Sequence, residues 1–511
     1  MHIVIVGGGT AGWLAASLLI NKHPGTHNVT ILESSKFGII GVGEATTGFF
    51  TDIIVHELSK DFGANHDEFM LETGSTLKFG IKHKGWTPNL DEHYIGPIDG
   101  SFTSHESPDI MFAYALTQLP KEKLTSITYT GSIIDAGTCN WGRGKRFTKH
   151  THALQVNGQL VGQYFKKLCL KKPNVTHVDS EITEINLNEQ GLISSLSLSN
   201  GTTLAADFFI DCSGFSRVLM NKVGGKWTSY KKHLPVNTGM PFLQKYKPGE
   251  KPVPYSLAWA QKNGWLWQTT LMDRTGNGYI FDDNFTTVDK AQEEIETLLG
   301  HPIEPIKILK FESGRQENAW VKNCVCVGLS YAFLEPLEAT SIHTSILQIK
   351  AFVNEYLRPT LNETMNQGSM NLYNSRMAMM YDTLKDFLVM HYMGGRTDSE
   401  FWRYIATGAT KTDFVTDILE TAKVRLPSTN DFTKFWGNAG WPLWSYIMAG
   451  VGVLNKQAAL NEFKTPEEFL ITRDTYNKFR FQLESQFKDQ YSYDDFIEHL
   501  REQRKLKGFS D

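Results

Sequence analysis

Met1-His-Ile-Val-Ile-Val-Gly7-Gly8-Gly9-Thr10-Ala11-Gly12-Trp13-Leu-Ala-Ala-Ser-Leu-Leu-Ile20 opens the chain, and its reading decides the fold. Residues 2–6 are an apolar run rich in β-branched side chains, which predicts a strand. The glycines follow at once, and Trp13 to Ile20 reads as a buried helix. A second apolar run, Asn28-Val-Thr-Ile-Leu-Glu33, completes a strand–helix–strand unit, so a parallel sheet is expected. Gly7-x-Gly9-x-x-Gly12 therefore lies between strand and helix, and Glu33 ends the next strand 21 residues past Gly12. Gly7 suits a tight turn, Gly9 lets a pyrophosphate approach the backbone, and Gly12 lets the helix pack closely on the strand. The first helical N–H groups, at Thr10 and Ala11, are placed to receive phosphate oxygens. Glu33 is the acceptor for ribose hydroxyls. Glycines, strand, helix and acid in register specify a dinucleotide site, where a lone glycine-rich turn would not.

The rest of the chain narrows the class. It has 511 residues, too many for one core, so more than one structural unit is expected. Lys and Arg number 51 against 55 Asp and Glu, a net charge of −4 that provides no basic field for a nucleic acid. The five cysteines (Cys139, Cys169, Cys212, Cys324, Cys326) form no C-x-x-C pair, so no metal site is expected. No run reaches the roughly 18 apolar residues of a membrane helix. A reducing, cytoplasmic setting follows as an expectation. Residues 50–70 read as helical, 76–84 alternate as a strand, and 85–110 are rich in Pro, Gly and Asp and read as loop. Residues 155–171 read as a helix, 319–329 as one buried strand, and 343–392 as amphipathic helix.

Five ordered stretches then resemble the flavin-dependent halogenases of the tryptophan-halogenase type. They are Val6-Gly-Gly-Gly-Thr-Ala-Gly-Trp13, Gly41-Val-Gly43-Glu44-Ala45-Thr46, Leu77-Lys78-Phe-Gly-Ile-Lys82, Gly264-Trp265-Leu-Trp267 and Phe333-Leu-Glu-Pro-Leu-Glu338-Ala-Thr340-Ser341-Ile342. Phe209-Ile-Asp-Cys-Ser-Gly214 and Val325-Cys-Val-Gly328-Leu329-Ser-Tyr331 resemble the later flavin-contacting strand ends of FAD monooxygenase-like proteins, which favours FAD over NAD. The resemblance implies an α/β fold, mixed with α+β: an FAD-binding Rossmann-like βαβ module of the FAD monooxygenase type, with an interleaved, largely helical substrate module. The FAD module is expected from residues 1–75, 145–225 and 315–350, and the substrate module from 76–144, 226–314 and 351–511.

The resemblance also implies the chemistry. Reduced FAD, supplied by a separate flavin reductase, reacts with oxygen and halide to give hypohalous acid, which Lys78 delivers to an electron-rich aromatic carbon. Glu338 matches the family carboxylate, which orients the oxidant and removes the ring proton. The backbone of Thr340 and Ser341 matches the halide seat, and Trp265 and Trp267 crowd the space beside the flavin. Gly7, Gly9, Thr10, Ala11, Gly12, Glu33, Gly43, Glu44, Ala45, Gly328 and Leu329 are the matching cofactor positions. A homo-oligomer is consistent with the family. Alternation alone reads Lys78 as the solvent lysine of a half-solvated strand, and only the surrounding stretches reverse that. An aromatic hydroxylase on the same fold is the competing reading.

This chain also departs from the family. The Trp-x-Trp box continues as Gln268-Thr269-Thr270 rather than Ile-Pro, and Ala339-Thr340-Ser341 replaces Ser-Thr-Gly. The second change alters the halide seat and is expected to tilt preference toward bromide or iodide. No acid or tyrosine pair suited to an amino-acid zwitterion is found near Trp436-Gly-Asn-Ala-Gly-Trp441-Pro-Leu-Trp444, so indoles, phenols or other arenes are expected as substrates. His93, Phe102, Trp441 and Trp444 are the candidate walls of that pocket, and the two tryptophans serve equally well as core.

Overall fold

Residues 1–38, 41–98, 108–142, 146–147, 151–432 and 440–509 are described by the computed structural model. Strand β1 (His2–Val6) and strand β2 (Asn28–Glu33) flank helix α1 (Thr10–Lys22) in sequence. Ile3, Val4, Ile5 and Ile31 are fully buried, as expected of a parallel strand covered on both faces. The six-stranded sheet runs in the order Val175–Asp179, β2, β1, Phe208–Asp211, Cys324–Cys326, Trp320–Val321. Its first five strands are parallel, and the sixth turns back antiparallel. The single strand expected over 319–329 is thus a hairpin. Lys322 takes a left-handed φ of 54° at its turn. The buried Asn323 side chain locks that turn, donating to the carbonyls of Ile193 (2.9 Å) and Asp207 (3.0 Å) and accepting the Ile193 N–H (3.0 Å).

Two compact units divide the chain. The first comprises Met1–Thr73, Val156–Ser229 and Ser313–Asp382, and the second Gly74–Gln155, Tyr230–Glu312 and Thr383–Asp511. Residues 351–382, expected among the substrate segments, fall in the first unit. Side chains of the helix Gln367–His391 tie them there: the Tyr373 hydroxyl donates to the Gln348 carbonyl (3.1 Å), Asn374 bonds Trp320, and Asp382 takes a bidentate contact from Arg315.

The second unit holds a seven-stranded sheet in the order Leu309–Lys310, Thr238–Lys245, Arg274–Phe281, Gly264–Thr270, Tyr255–Ala260, Gly80–Lys84, His93–Pro97. Only Tyr255–Ala260 and Gly80–Lys84 pair in parallel. One face packs Met240, Phe242, Leu266, Tyr279 and Phe281 against Ala291 and Ile295 of the helix Val288–Leu299. The strand His93–Pro97 lies in the segment read as loop. It forms because pairing with Gly80–Lys84 satisfies its backbone, and because Tyr94 stacks flat on His83 (4.8 Å, 13°). Tertiary pairing here overrides a turn-rich composition. Among the described residues no helix is long and apolar enough to cross a membrane.

Asp211, at the end of Phe208–Asp211, is fully buried. Its carboxylate accepts the Ser213 N–H (2.9 Å) and hydroxyl (2.6 Å) and the N–H groups of Leu219 (2.9 Å) and Met220 (3.0 Å). It closes the turn after the strand and caps the helix Val218–Val223. Asp211→Ala leaves these donors without their acceptor and is expected to destabilise the fold by about 3 kcal/mol. Urea unfolding of variant and wild type measures this, and an unchanged midpoint would show that the carboxylate is not what closes the turn.

Candidate functional site

The first unit carries the dinucleotide turn. Gly7 adopts a φ of 116°, and a Cβ there would fall 2.2 Å from the Cys212 carbonyl oxygen. A Cβ at Gly12 would fall 1.9 Å from the Gly7 carbonyl oxygen, so neither position admits a side chain. A Cβ at Gly9 would meet nothing within 4 Å, which leaves the backbone open to close approach. Gly9 is also the N-cap of α1 and offers no side-chain cap, so the helix start keeps its donors for a ligand. Thr10 turns its hydroxyl away, to the Gly158 carbonyl (2.9 Å), and Ala11 is half-buried beside it. Glu33 Oε1 accepts from Lys166 and from His177 (2.7 Å). Free helical N–H groups, an exposed backbone turn and a carboxylate at the second strand's end fit the pyrophosphate and ribose of FAD.

The neighbouring cofactor candidates sit close by in the same unit. Gly43 takes a φ of 124°. Glu44 directs a carboxylate oxygen to the Gly158 N–H (2.7 Å), at the start of the helix Gly158–Cys169. Asn157 caps the same helix through Gln159 and Leu160, which is why the helix expected from residue 155 begins at 158. Ala45 follows Glu44 and is half-buried. Gly328, with a φ of 67°, donates its N–H to Gln348 Oε1 (3.0 Å), and Leu329 beside it is half-buried.

Glu338 ends the turn Pro336–Glu338 and is half-buried. Ala339 then takes a φ of 54°, unusual for a residue with a Cβ, and serves as the N-cap of the helix Thr340–Ala351 without a side-chain cap. Missing the hydroxyl that a serine would supply, Ala339 leaves the N–H groups at Thr340 and Ser341 uncapped by side chains. A helix start of this kind favours an anion.

The second unit holds the remaining candidates. Lys78 lies on the strand Thr76–Lys78, paired with Ala153. Its side chain is 1% exposed, so the solvated-face reading of this lysine fails. Lys82 and Lys84, on the strand Gly80–Lys84, are only half-buried. The Lys84 ammonium lies 4.2 Å over the Trp259 ring, and burial together with Lys84 pulls the Lys82 pKa below the usual lysine range. His93 pairs across from Lys84, its pKa lowered by burial and then by Lys82. Trp265 is buried against Trp86 (6.4 Å), whereas Trp267 is half-buried and faces Gly278 across the strand pair. Trp441 and Trp444 are fully buried and pack against the rings of Phe112, Phe387, Phe414 and Phe432. Phe102 and Trp436 lie outside the described residues. Lys166, His177 and Gln348 were not legible as site residues. Each reaches the site from a distant segment, and none belongs to a spaced motif.

A Cβ at Gly278 would fall 1.8 Å from the Trp267 ring. Gly278→Ala is therefore expected to expel that ring from its seat and to cost about 1–3 kcal/mol. Near-UV circular dichroism should change while the far-UV spectrum holds. An unaltered near-UV spectrum would show that the ring does not depend on this glycine.

The tryptophan halogenase family model matches residues 2–463. A tryptophan 7-halogenase of Kutzneria sp. is 30% identical over 503 residues, covering 88% of this chain and 89% of that protein. A tryptophan 6-halogenase of Streptomyces toxytricini is 27% identical over 531 residues, covering 96% and 97%. The crystal structure of a tryptophan 6-halogenase from S. toxytricini aligns with a TM-score of 0.87 at 25% identity, covering 97% of this chain and 99% of that one. A tryptophan halogenase from Shewanella frigidimarina shares the fold, with a TM-score of 0.87 at 22% identity over 98% and 97% of the two chains. With the family matched over most of its length, this chain belongs to the tryptophan halogenase family of flavin-dependent halogenating enzymes.

Proposed function

We propose that the chain takes FAD reduced by a separate flavin reductase and transfers halogen to an electron-rich indole- or phenol-type substrate, with Lys78 delivering the oxidant. The observation that carries this reading is the burial of Lys78, 1% exposed within a strand. A lysine is rarely enclosed unless its charge is compensated or used. Bound reduced FAD, with oxygen and halide, supplies hypohalous acid. The Lys78 ammonium donates a hydrogen bond to that acid and polarises it, or the neutral amine accepts halogen as a haloamine. Glu338 takes the proton that leaves the substituted ring carbon. The backbone donors at Thr340 and Ser341 hold the halide. Trp265 and Trp267 keep organic substrate from the flavin, so that halide rather than carbon is oxidised. His93 forms part of the substrate wall. The cytoplasmic setting rests on five cysteines that are free and buried.

Aromatic hydroxylation is the weaker reading, because it needs neither a buried lysine nor a halide seat. Mass spectrometry separates the two. With FAD, a flavin reductase, NADH, oxygen, bromide and a panel of indoles and phenols, the expected product shows the bromine isotope doublet. Lys78→Ala should abolish it, a loss of at least about 100-fold in a step that depends on one positioned group. An oxygenated product that survives in the variant would overturn the assignment. Ser341, in the place of the family's glycine, is proposed to favour bromide or iodide. Equimolar halide competition tests this, and a chlorinated majority product would reverse it.

A further inference from the structure

Trp13 is a feature of the opening stretch that the phosphate site does not use. Its indole is buried, 1% exposed, at the first turn of α1. The Lys166 ammonium lies 5.4 Å over its ring, and the His177 ring centroid stands 5.9 Å away. Gly162, one turn before Lys166, would place a Cβ 3.7 Å from the indole and 3.8 Å from the Gly8 carbonyl oxygen, so the helix Gly158–Cys169 sits directly against the turn. Lys166 and His177 both bond the same carboxylate oxygen, Glu33 Oε1, and lie 3.2 Å from each other. The other oxygen, Oε2, lies over the turn itself: a Cβ at Gly8 would fall 1.4 Å from it.

We propose that Lys166 and His177 are positioning residues for Glu33, with the Trp13 indole supporting both: the two grip one carboxylate oxygen so that the other is fixed beside the glycine turn, ready to accept from the hydroxyls of an adenosine ribose. This rests on the reading of the turn as the FAD site. The physical case has two parts. A carboxylate held by two donors loses little freedom when it binds ribose, so the cost of ordering is met before the ligand arrives. An ammonium on the same carboxylate also offsets the repulsion that Glu33 would exert on the nearby pyrophosphate. The indole face carries Lys166 without neutralising it, so the charge remains available to Glu33. Gly8 acquires a purpose here that differs from its neighbours: it makes room for the carboxylate, not for phosphate.

The test measures binding to the FAD-free protein, using FAD, ADP and FMN as probes, with thermal unfolding of each variant as a check on folding. Glu33→Gln and Lys166→Met are each expected to weaken FAD and ADP by about tenfold. FMN lacks the adenosine and should be unaffected. Lys166→Arg should restore the affinity. In the Glu33→Gln background Lys166→Met should cause no further loss, because its effect passes through the carboxylate. Trp13→Leu and His177→Gln should weaken ADP in the wild-type background and not in the Glu33→Gln one. If Lys166→Met leaves ADP binding intact, or weakens it equally in both backgrounds, the proposal is overturned while the FAD site stands. Failure of the wild type to bind either FAD or ADP would instead overturn the site itself.

Discussion

The approach of Gly12 to the Gly7 carbonyl is the constraint on which the first unit depends. Backbone meets backbone at a distance that no Cβ could share, so α1 begins immediately under β1. That closeness orients the uncapped first turn of α1 toward the open face of Gly9. It also brings Trp13 beneath Lys166 and His177, and through them reaches Glu33 at the end of β2. Three missing side chains therefore organise a helix start, a buried indole and a carboxylate. A bulkier residue at either crowded glycine would separate the strand from its helix, and everything downstream would lose its register.

The same economy recurs where strands end. Asp211 gathers four donors into one buried carboxylate and so turns the chain sharply after the strand Phe208–Asp211. Gln348 holds the Gly328 N–H from the helix that begins at Thr340. Ala339, held at positive φ, starts that helix without capping it. At Asp211 and at Gln348 the polar groups of a loop are satisfied by one side chain, which keeps the loop in a single shape. A fixed shape suits the binding of small anions and a planar cofactor, because mobile donors lose entropy on each binding event.

In the second unit burial separates lysines that the alternating pattern made equivalent. Lys78, Lys82 and Lys84 recur at a spacing that predicts one solvated face. Lys82 and Lys84 keep half of that character, leaning over Tyr255 and Trp259. Lys78 belongs to a different strand pairing, with Ala153, and is enclosed. Trp441 and Trp444, read as wall or core, are fully buried, with edge-to-face contacts to Phe112 and Phe414.

The sequence by itself determined the βαβ start, the roles available to Gly7, Gly9 and Gly12, the family, and the order in which its characteristic stretches occur. These are local properties, set by the absence of side chains and by hydrophobic period, and neighbouring residues suffice to express them. Tertiary structure alone decided that residues 351–382 join the first unit, that 319–329 is a hairpin, and that His93–Pro97 is a strand. It alone decided that Lys78 is buried, and that Lys166 and His177, 133 and 144 residues from Glu33, meet on one of its oxygens. Burial and long-range pairing depend on which distant segments share a surface, and no local pattern of residues records that.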